Sequence, residues 1–515
     1  MRFAALILFL VMIAFAPALA QKKVQLQKGA GKLIGGIRNG ERIERVIDNV
    51  VFVQNTTTIY CDSAWFYRSK NMVEAFGRVR IVEGDSVTIT ASRLAYDGNK
   101  KTAKLRNNVV FTKLATATLY TDFLDYDRLV NVATYFNGGR LVDSINVLTS
   151  RKGYYQVNSN LASFKKNVKV TNPDYSMTAD SLQYNSKTKI IYFVSETTVV
   201  NKDSSSFVYK AGQYNTQTRT SELKEGLAQS QSYELKGNSY DIDDFRKMYK
   251  VRGDVIMTYR DENLNIYGQA ADYYRSKNIA KIYDHAYVAK VTDEGDTLFM
   301  TADTLVSIDN IDPSKKRLLA YHNVKIFKND LQGIADSLEY HSADSTIYFY
   351  KDPVLWTDEN QMTADSISIL IEKNTISKIF MVANAFVISK DTLLNFNQIK
   401  GREMIAEFGQ GVLKRVHVEG NGESLYFAID EKTSALTGMN KIICSNMVIR
   451  FLEGRVNNLS FYVKPEANFI PPHELDKEER ELEGFTWKEP LRPVKKDVVK
   501  TPVSAVEPVR KRLGL

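Results

Sequence analysis

This chain lacks both a cysteine framework and the sequence signatures of common catalytic sites. Only two cysteines, Cys61 and Cys444, occur in 515 residues, which excludes a disulfide framework of the kind that holds small secreted domains together. The five histidines show no spacing typical of a metal site, and no G-x-S-x-G, P-loop or Cys–His signature is present. We therefore expect buried, unpaired cysteines, and we identify no catalytic residue, no metal ligand and no cofactor site.

Proline is scarce over most of the chain and abundant near its end. Of the 11 prolines, three fall between residues 21 and 464 and seven fall after residue 464. Because proline cannot donate a hydrogen bond to a neighbouring strand, its scarcity allows β-sheet throughout the long middle part. Residues 464–515 form a Pro-rich, charged tail, which we expect to be disordered apart from one short charged helix in HELDKEERELEG.

The first 20 residues have the pattern of a secretory signal peptide. One arginine precedes an apolar run and an Ala-Leu-Ala sequence that is typical of a cleavage site. We expect the mature chain to begin at Gln21, outside the cytoplasm, with a lead-in over residues 21–47. Removal of Arg2 lowers the formal net charge from +9 to +8. This mildly basic balance suits anionic lipid headgroups and is no signature of a nucleic-acid partner.

Nearly the same ten residues recur along the chain. SMTADSLQYN begins at Ser176, FMTADTLVSI at Phe299 and QMTADSISIL at Gln361. When the copies are aligned on their Asp or Ser, the spacing between successive copies is about 30 residues or a multiple of it. The aligned residues are Asp62, Ser92, Asp122, Asp180, Asp272, Asp303, Asp336 and Asp365. A tandem period of this size predicts a stacked array in which each unit packs on its neighbours.

A second element lies between the copies. It consists of turn-forming residues followed by Val and alternating apolar residues, as in GRVRIV, NNVVFT, KNVKVT and HNVKIF. Asn, Gly and Asp tolerate the left-handed backbone that turns require. Alternating Val, Ile and Phe are typical of half-buried strands. We interpret this element as a turn that precedes a second strand in every repeat.

The repeated Asp-Ser step predicts a bend within a strand. Ala179 and Leu182 are three residues apart, so an uninterrupted strand would place them on opposite faces. A bulge or corner at Asp180–Ser181 returns both to one interior, and the Asp and Ser side chains can bond the backbone at the bend. We therefore predict an all-β chain over residues 48–463, a long repetitive β-jellyroll or β-solenoid in which two or three domains are fused.

These motifs resemble a known family. ASRLAYD, ADSLQYN, ADTLVSI and ADSLEY, alternating with the turn-Val element, are similar to the OstA/LptA family of periplasmic lipopolysaccharide-transport proteins, whose domain also forms the N-terminal part of LptD. The resemblance implies a V-shaped β-jellyroll whose apolar groove holds acyl chains. It also implies a periplasmic location, in association with the outer membrane. It covers most of the chain from Val50 to Val463, which is far longer than one such domain.

The residues themselves suit a lipid conduit. Acyl chains crossing water need a continuous dry surface, since each buried methylene is worth about 0.8 kcal/mol. Methionine, which recurs at one repeat position, adapts well to variable apolar partners. An inward Met or Leu is equally typical of an ordinary core, and only the family resemblance favours a groove. The candidate groove residues are Met177, Leu182, Tyr184, Met300, Leu305, Leu338, Tyr340, Met362 and Ile367.

The ends of an open β stack expose unpaired backbone groups. We expect the first edge near DNVVFV, at Val50 and Phe52, and the last near NNLSFYV, at Leu459 and Phe461. Both would dock partners by strand addition. The expected partners are lipopolysaccharide or a similar lipid in the interior, and Lpt-type proteins or a second copy of this chain at the edges.

Two other functional classes fit parts of the pattern. A structural or adhesive β-solenoid would share the repeat. The column of Asp residues would also suit a polysaccharide-active enzyme on a β-helix. Glycosidases, however, need one specific pair of carboxylates and not one carboxylate per repeat, so a ladder of corner residues is the favoured interpretation and we expect no enzymatic activity.

Overall fold

A computed structural model describes residues 23–499, except 114–115, 203, 230–232, 293–294, 374, 410–411, 431 and 453–454. The signal peptide predicted over residues 1–20 and the last part of the tail, residues 500–515, lie outside the described residues. The described chain is almost entirely β-strand, which confirms the predicted fold class. It divides into two compact units, Met1–Arg219 and Thr220–Leu515, which we treat separately as unit 1 and unit 2.

Unit 1 is an antiparallel meander in which each strand from β3 to β12 pairs with the next. Its strands are β1 (Gln25–Leu26), β2 (Lys32–Arg38), β3 (Glu41–Gln54), β4 (Thr57–Tyr67), β5 (Met72–Glu83), β6 (Val87–Asp97), β7 (Thr102–Lys113), β8 (Ala117–Asp127), β9 (Val132–Asp143), β10 (Asn146–Gln156), β11 (Leu161–Thr171), β12 (Tyr175–Asn185), β13 (Ile190–Phe193), β14 (Thr197–Asn201) and β15 (Ser206–Asn215).

A corner interrupts every strand pair of this meander near its middle. In β12, Ala179 pairs with Val168 and Ser181 pairs with Lys165, while the intervening Asp180 is exposed. Leu182 is therefore buried on the same side as the residues before the bend. The predicted corner at Asp180–Ser181 is confirmed.

The turn-Val element forms a second kind of corner. The sequence predicts a turn before a separate strand, but in the structure this element lies inside a strand. Asn107 and Asn108 lie in the middle of β7, and both have left-handed backbone, with φ of 60° and 53°. In β5, Gly77 has φ of 72°, and a Cβ there would lie 2.4 Å from a carboxylate oxygen of Asp62. Two successive left-handed residues bend one strand where the Asp-Ser step bends its neighbour, so the corners stack.

The corners divide the strands of unit 1 into two limbs. Limb A contains the strand halves that are joined by turns such as residues 84–86. Limb B contains the other strand halves, which are joined by turns such as residues 98–101. Apolar residues of both limbs are buried, for example Ile81 and Ile89 in limb A and Leu94 and Tyr96 in limb B. The core of unit 1 thus lies between two limbs that meet at the corner.

Unit 2 repeats this plan, but several of its corners are open loops that split a strand into two short ones, as between the strands Thr297–Thr301 and Thr304–Ile308. Its strands are β16 (Thr220–Gln229), β17 (Glu234–Asp243), β18 (Met248–Tyr259), β19 (Leu264–Tyr274), β20 (Ile279–Tyr283), β21 (Tyr287–Val291), β22 (Thr297–Thr301), β23 (Thr304–Ile308), β24 (Arg317–Lys328), β25 (Leu331–His341), β26 (Thr346–Tyr350), β27 (Val354–Thr357), β28 (Asn360–Thr363), β29 (Ser366–Glu372), β30 (Thr375–Lys390), β31 (Phe396–Gly409), β32 (Val412–Ile429), β33 (Leu436–Leu452), β34 (Arg455–Tyr462) and β35 (Glu466–Ile470).

The corner carboxylates of unit 2 share one kind of environment. Asn323 donates to Asp303 at 2.8 Å, and Asn384 donates to Asp365 at 3.0 Å. Asp336 accepts from Lys351 at 3.1 Å. Each donor belongs to the left-handed corner of an adjacent chain segment. In these three repeats the Asp is therefore a structural corner residue that bonds the corner stacked beside it. The repeat aligned on Asp272 differs, because its strand bends between Gly268 and Ala270 and Asp272 accepts from Arg252 at 2.8 Å.

The C-terminal tail differs from the expected disorder over residues 464–499. After β35, the chain forms 3-10 turns at Pro472–Glu474, Lys477–Arg480 and Glu489–Leu491 and one α-helical turn at Lys495–Val498. Leu482 is 3% exposed and Val498 is 0% exposed. Proline keeps this segment out of the sheet ladder, but its apolar side chains are buried against unit 2, and that burial orders it.

Candidate functional site

The interior between the limbs contains the residues that were predicted to line a groove. Eight of the nine candidates are buried in the unit to which each belongs, and Tyr340 is half-buried. Leu182 and Tyr184 of unit 1 and Leu305 of unit 2 are 0% exposed. Within each unit these side chains lie in a buried apolar interior in which no single residue stands out. Contact of these residues with a lipid stays a prediction.

We call the side of each unit that lies opposite the corners its mouth. In unit 1 the ends of limb A strands meet the turns of limb B there. Gln54 is 2% exposed, and its side-chain amide donates to the carbonyl of Gly98 at 2.8 Å. The Tyr96 hydroxyl donates to the Gln54 side-chain oxygen. Polar contacts thus join the two limbs across the mouth.

The strongest of these contacts is an ion pair. Arg128 in a limb B turn donates from Nε to Glu83 at 2.7 Å and from Nη2 at 3.0 Å, and it also donates to the Tyr96 hydroxyl at 2.7 Å. The Arg128 side chain is 6% exposed and that of Glu83 is 18% exposed. Burial alone would raise the pKa of Glu83, but hydrogen bonds from Arg128, Thr57 and Thr56 outweigh it and hold that pKa below its ordinary value.

A second ion pair lies further along the same mouth. Asp143, at the end of β9, is 5% exposed and accepts a hydrogen bond from Lys189 at 2.7 Å. The Tyr184 hydroxyl, from the interior, also donates to Asp143. Between the two ion pairs, Lys113 donates to the carbonyl of Val157. Burial and the nearby charge of Lys187 lower the pKa of the Lys113 ammonium, so cations cluster at this part of the mouth.

The mouth of unit 2 is closed by a different device, the strap formed by residues 471–499. Gln361 is 1% exposed and donates to the carbonyl of Thr486 at 2.8 Å, while the backbone N–H of Lys488 donates to the Gln361 side-chain oxygen at 2.6 Å. Gln398 is 0% exposed and makes the same two bonds, to the carbonyl of Arg480 and from the N–H of Leu482, each at 2.8 Å. Each glutamine thus pairs with the strap as a neighbouring strand would.

A third glutamine continues the row. Arg492 donates to the side-chain oxygen of Gln332 at 2.7 Å, and Gln332 is 4% exposed. Along its sequence the strap therefore contacts Gln398 of β31, then Gln361 of β28 and then Gln332 of β25. It crosses the strands in the reverse of their order in the chain. All three glutamines lie beside turns, which join β24 to β25, β27 to β28 and β30 to β31.

Apolar side chains of the strap pack into the interior. Leu475 and Leu482 belong to a buried cluster with core residues of the sheet. Phe485 and Trp487 both contact Phe396, with ring centroids 5.5 and 5.0 Å apart. The sheet residues of the cluster are Phe386, Ile388, Leu425, Phe427, Met439 and Ile470. Sequence reasoning missed this contact, although the apolar residues within the charged tail were a signal for it.

The structure corrects the position of the first sheet edge. Val50 and Phe52 are 1% and 0% exposed, because β3 pairs with β1 and β2 on one side and with β4 on the other. Among the described residues of unit 1, β1 pairs only with β3, and β2 likewise has no second partner. Its Leu33 and Ile37 are 56% and 75% exposed.

The predicted last edge, at Leu459 and Phe461, belongs to β34. Among the described strands, β34 pairs only with β33. Leu459 is 41% exposed, and Phe461 is half-buried. Docking of a partner at either edge stays a prediction.

Other kinds of site have little support in the described residues. They contain no group of three or more His, Cys, Asp or Glu that could hold a metal ion. No helix among them is long and apolar enough to cross a membrane. A depression of about 420 Å³ lies at the corner side of unit 1, beside Asp122 and Gly138, and not in the interior.

Comparison with known proteins supports the family resemblance for the N-terminal part of the chain. Residues 21–180 match the family model described as OstA-like protein. The chain carries an OstA-like region. Of the motifs that carry the resemblance, ASRLAYD lies within this region and ADSLQYN begins at its end, whereas ADTLVSI and ADSLEY lie beyond it.

Among solved structures, the chain is similar to the crystal structure of LptH from Pseudomonas aeruginosa, described as the LptA-homologous periplasmic component of the lipopolysaccharide transport device. The similarity has 16% sequence identity and a TM-score of 0.20, and it covers 23% of this chain and 80% of LptH. No curated protein matches the chain.

Proposed function

We propose that this protein is a non-enzymatic periplasmic lipid-binding protein that carries or bridges lipopolysaccharide, or a similar lipid, toward the outer membrane. The observation that carries the proposal is the repeated apolar interior between two limbs, which has a polar mouth along one side. The OstA-like region supports it. A lipid with several acyl chains needs a long dry surface and a polar boundary beside it, and the two-limbed repeat offers both.

Acyl chains would enter unit 1 through its mouth. Met177 and Leu182 would contact them on either side of the corner, and each methylene transferred from water contributes about 0.8 kcal/mol. The cations at the mouth, Lys113, Lys187 and Lys189, would lie beside a phosphorylated headgroup. Because the mouth is held by polar contacts, entry requires that some of them exchange for contacts with the headgroup.

The open edges would link the protein to its neighbours. β2 offers unpaired backbone groups and the exposed side chains Leu33, Ile34 and Ile37, and β34 offers Leu459. Neither strand contains proline, so both can accept an added strand. Lpt-type proteins of like fold, or a second copy of this chain stacked end to end, would extend the apolar interior from one molecule to the next.

Site-specific photo-crosslinking in living cells tests the proposal. A crosslinking residue at Met177 or Leu182 is expected to capture lipopolysaccharide, whereas one at the adjacent exposed position, Thr178, is expected to capture little. Mass spectrometry of the adduct identifies the lipid. If a folded protein yields no lipid from either interior position, the conduit proposal fails and a structural β-solenoid becomes the better interpretation.

A further inference from the structure

We propose that the strap, residues 471–499, is a built-in lid that closes the interior of unit 2 and must leave before that interior can bind a lipid. This inference rests on the proposed function, since it assigns the strap a role in lipid entry. It adds a regulatory device that unit 1 does not show among its described residues, because the mouth of unit 1 is closed by contacts between its own limbs.

The strap occupies space that a lipid would need. Leu475 and Leu482 are 9% and 3% exposed and lie within the same cluster as Ile388 and Leu425. Trp487 packs on Phe396 nearby. An acyl chain that reached these core residues from the mouth would take the place of the strap side chains, so strap and lipid compete for one apolar surface.

The polar contacts of the strap suit a lid that detaches. Gln361 and Gln398 bond the backbone of residues 480–488 and not its side chains. A neutral side-chain amide forms hydrogen bonds of modest net strength, about 1 kcal/mol each, whereas the mouth of unit 1 holds buried ion pairs. When the strap leaves, the glutamine amides become accessible to water or to a polar headgroup, so no buried charge is left without a partner.

The sequence of the strap also favours a segment that stays separate from the sheet. Four of its residues are proline, at positions 471, 472, 490 and 493. Proline cannot donate to the ladder of hydrogen bonds, so these residues keep the two parts of the strap that contain them from pairing as strands of unit 2. Its attachment includes the bonds with the three glutamines, an ion pair between Glu483 and Lys400 at 3.6 Å and the Lys495 ammonium over the Phe299 ring. A few apolar side chains complete it, of which Val498 is the last, at 0% exposed.

The first arm of the test measures the strap itself. Hydrogen exchange of the full-length protein should show protected amides at Leu482 and Lys488, whose N–H groups donate to Gln398 and Gln361. In the double variant Gln361→Ala/Gln398→Ala, both amides should exchange at least tenfold faster, while amides in β32 and β33 keep their rates. Gln54→Ala is the matched control, since it removes a buried glutamine from the mouth of unit 1 and should leave the strap unchanged. Strap amides that exchange freely in the unaltered protein would overturn the proposal.

The second arm measures lipid entry with purified lipopolysaccharide as the probe. A photo-crosslinker at Ile388 should capture severalfold more lipopolysaccharide in the double glutamine variant than in the unaltered protein, and one at Leu182 in unit 1 should capture the same amount in both. Trp487→Ala, which removes an apolar contact and touches no buried polar group, should act in the same direction. The variants are compared only after their thermal unfolding shows an intact sheet.

The outcomes separate the two proposals. Capture at Leu182 with no gain at Ile388 in either the glutamine or the tryptophan variant overturns the lid and leaves the proposed function standing. Absence of capture at both positions in every variant overturns both. Capture at Ile388 that rises when the strap is loosened, together with faster exchange of the strap amides on addition of lipopolysaccharide, supports both.

Discussion

Arg128 and Glu83 are 45 residues apart in the chain, yet the Arg128 Nε lies 2.7 Å from the Glu83 carboxylate and closes the mouth of unit 1. One residue comes from a turn of limb B and the other from the end of a limb A strand. The pair therefore reports directly on whether the two limbs are held together. The repeat places both residues at the mouth, so the ion pair also restricts access to the interior.

The first prediction concerns this pair. Arg128→Met should lower the free energy of unfolding by about 3 kcal/mol, because it leaves the half-buried carboxylate of Glu83 without its charged partner. The double variant Arg128→Met/Glu83→Gln should recover part of that loss, since no unpaired charge then remains. Chemical denaturation of the four proteins in the cycle measures both effects. A double variant that is no more stable than Arg128→Met would contradict the pairing.

The second prediction is the pH dependence of the same pair. The pKa of Glu83 is held below its ordinary value in the folded protein, so its contribution to stability is complete above the pKa of an unfolded glutamate. That contribution is lost as the pH falls through the lowered folded pKa. Glu83→Gln should therefore flatten the decline of stability on acidification. A decline in the acid range that is as steep in Glu83→Gln as in the unaltered protein would exclude this role for Glu83.

The third prediction concerns the small residue at the corner. Ala302 precedes Asp303 and is 6% exposed. Ala302→Phe should therefore overpack the inside of the corner and lower the free energy of unfolding by about 1–3 kcal/mol. Thr178→Phe, an increase in size at an exposed strand position, is the control and should change stability little. Denaturant unfolding compares the two. Equal changes in the free energy of unfolding would show that the corner can accommodate the larger side chain.

The fourth prediction concerns the two cysteines. Burial, together with the nearby Asp62 carboxylate, raises the pKa of the Cys61 thiol to about 12, and burial also raises the pKa of Cys444. Because the thiolate is the reactive form, iodoacetamide at pH 8 should leave both cysteines unmodified in the folded protein and alkylate both in denaturant. A cysteine introduced at the exposed Thr178 serves as the positive control. Rapid native alkylation of Cys61, seen by mass spectrometry, would show that the first corner opens readily.

The fifth prediction concerns the sheet edges. A photo-crosslinker at Leu33 or Leu459 should capture a protein partner, whereas one at the buried Phe52 should not. Ile37→Pro should reduce capture from Leu33, because proline places an obstacle on the unpaired edge of β2. A partner of the same mass as this chain indicates end-to-end stacking, and peptide mass spectrometry of a partner of different mass tests whether it is an Lpt-type protein. Equal capture from Phe52 would mean that β3, and not β2, is the docking edge.

The repeat was predictable because its signals are local. The three-residue step from Ala179 to Leu182 reveals the corner, and the 30-residue spacing from Asp62 to Ser92 reveals the stacking. Each repeat contacts its sequence neighbours, so a pattern read along the chain is also a pattern in space. The burial of Met177 and Leu182 on one interior followed from the same step.

Contacts between distant parts of the chain were decided only by the tertiary structure. Composition favoured disorder in the tail, but Gln361 bonds Thr486 at a separation of 125 residues and Gln332 bonds Arg492 at 160. The sequence placed the first edge at Phe52, yet β1 and β2 cover that strand. The sequence alone determined the repeated corner and the apolar interior, because both depend on spacing within one repeat. Which strand remains unpaired, and what closes each mouth, depends on how segments far apart in the chain pack together.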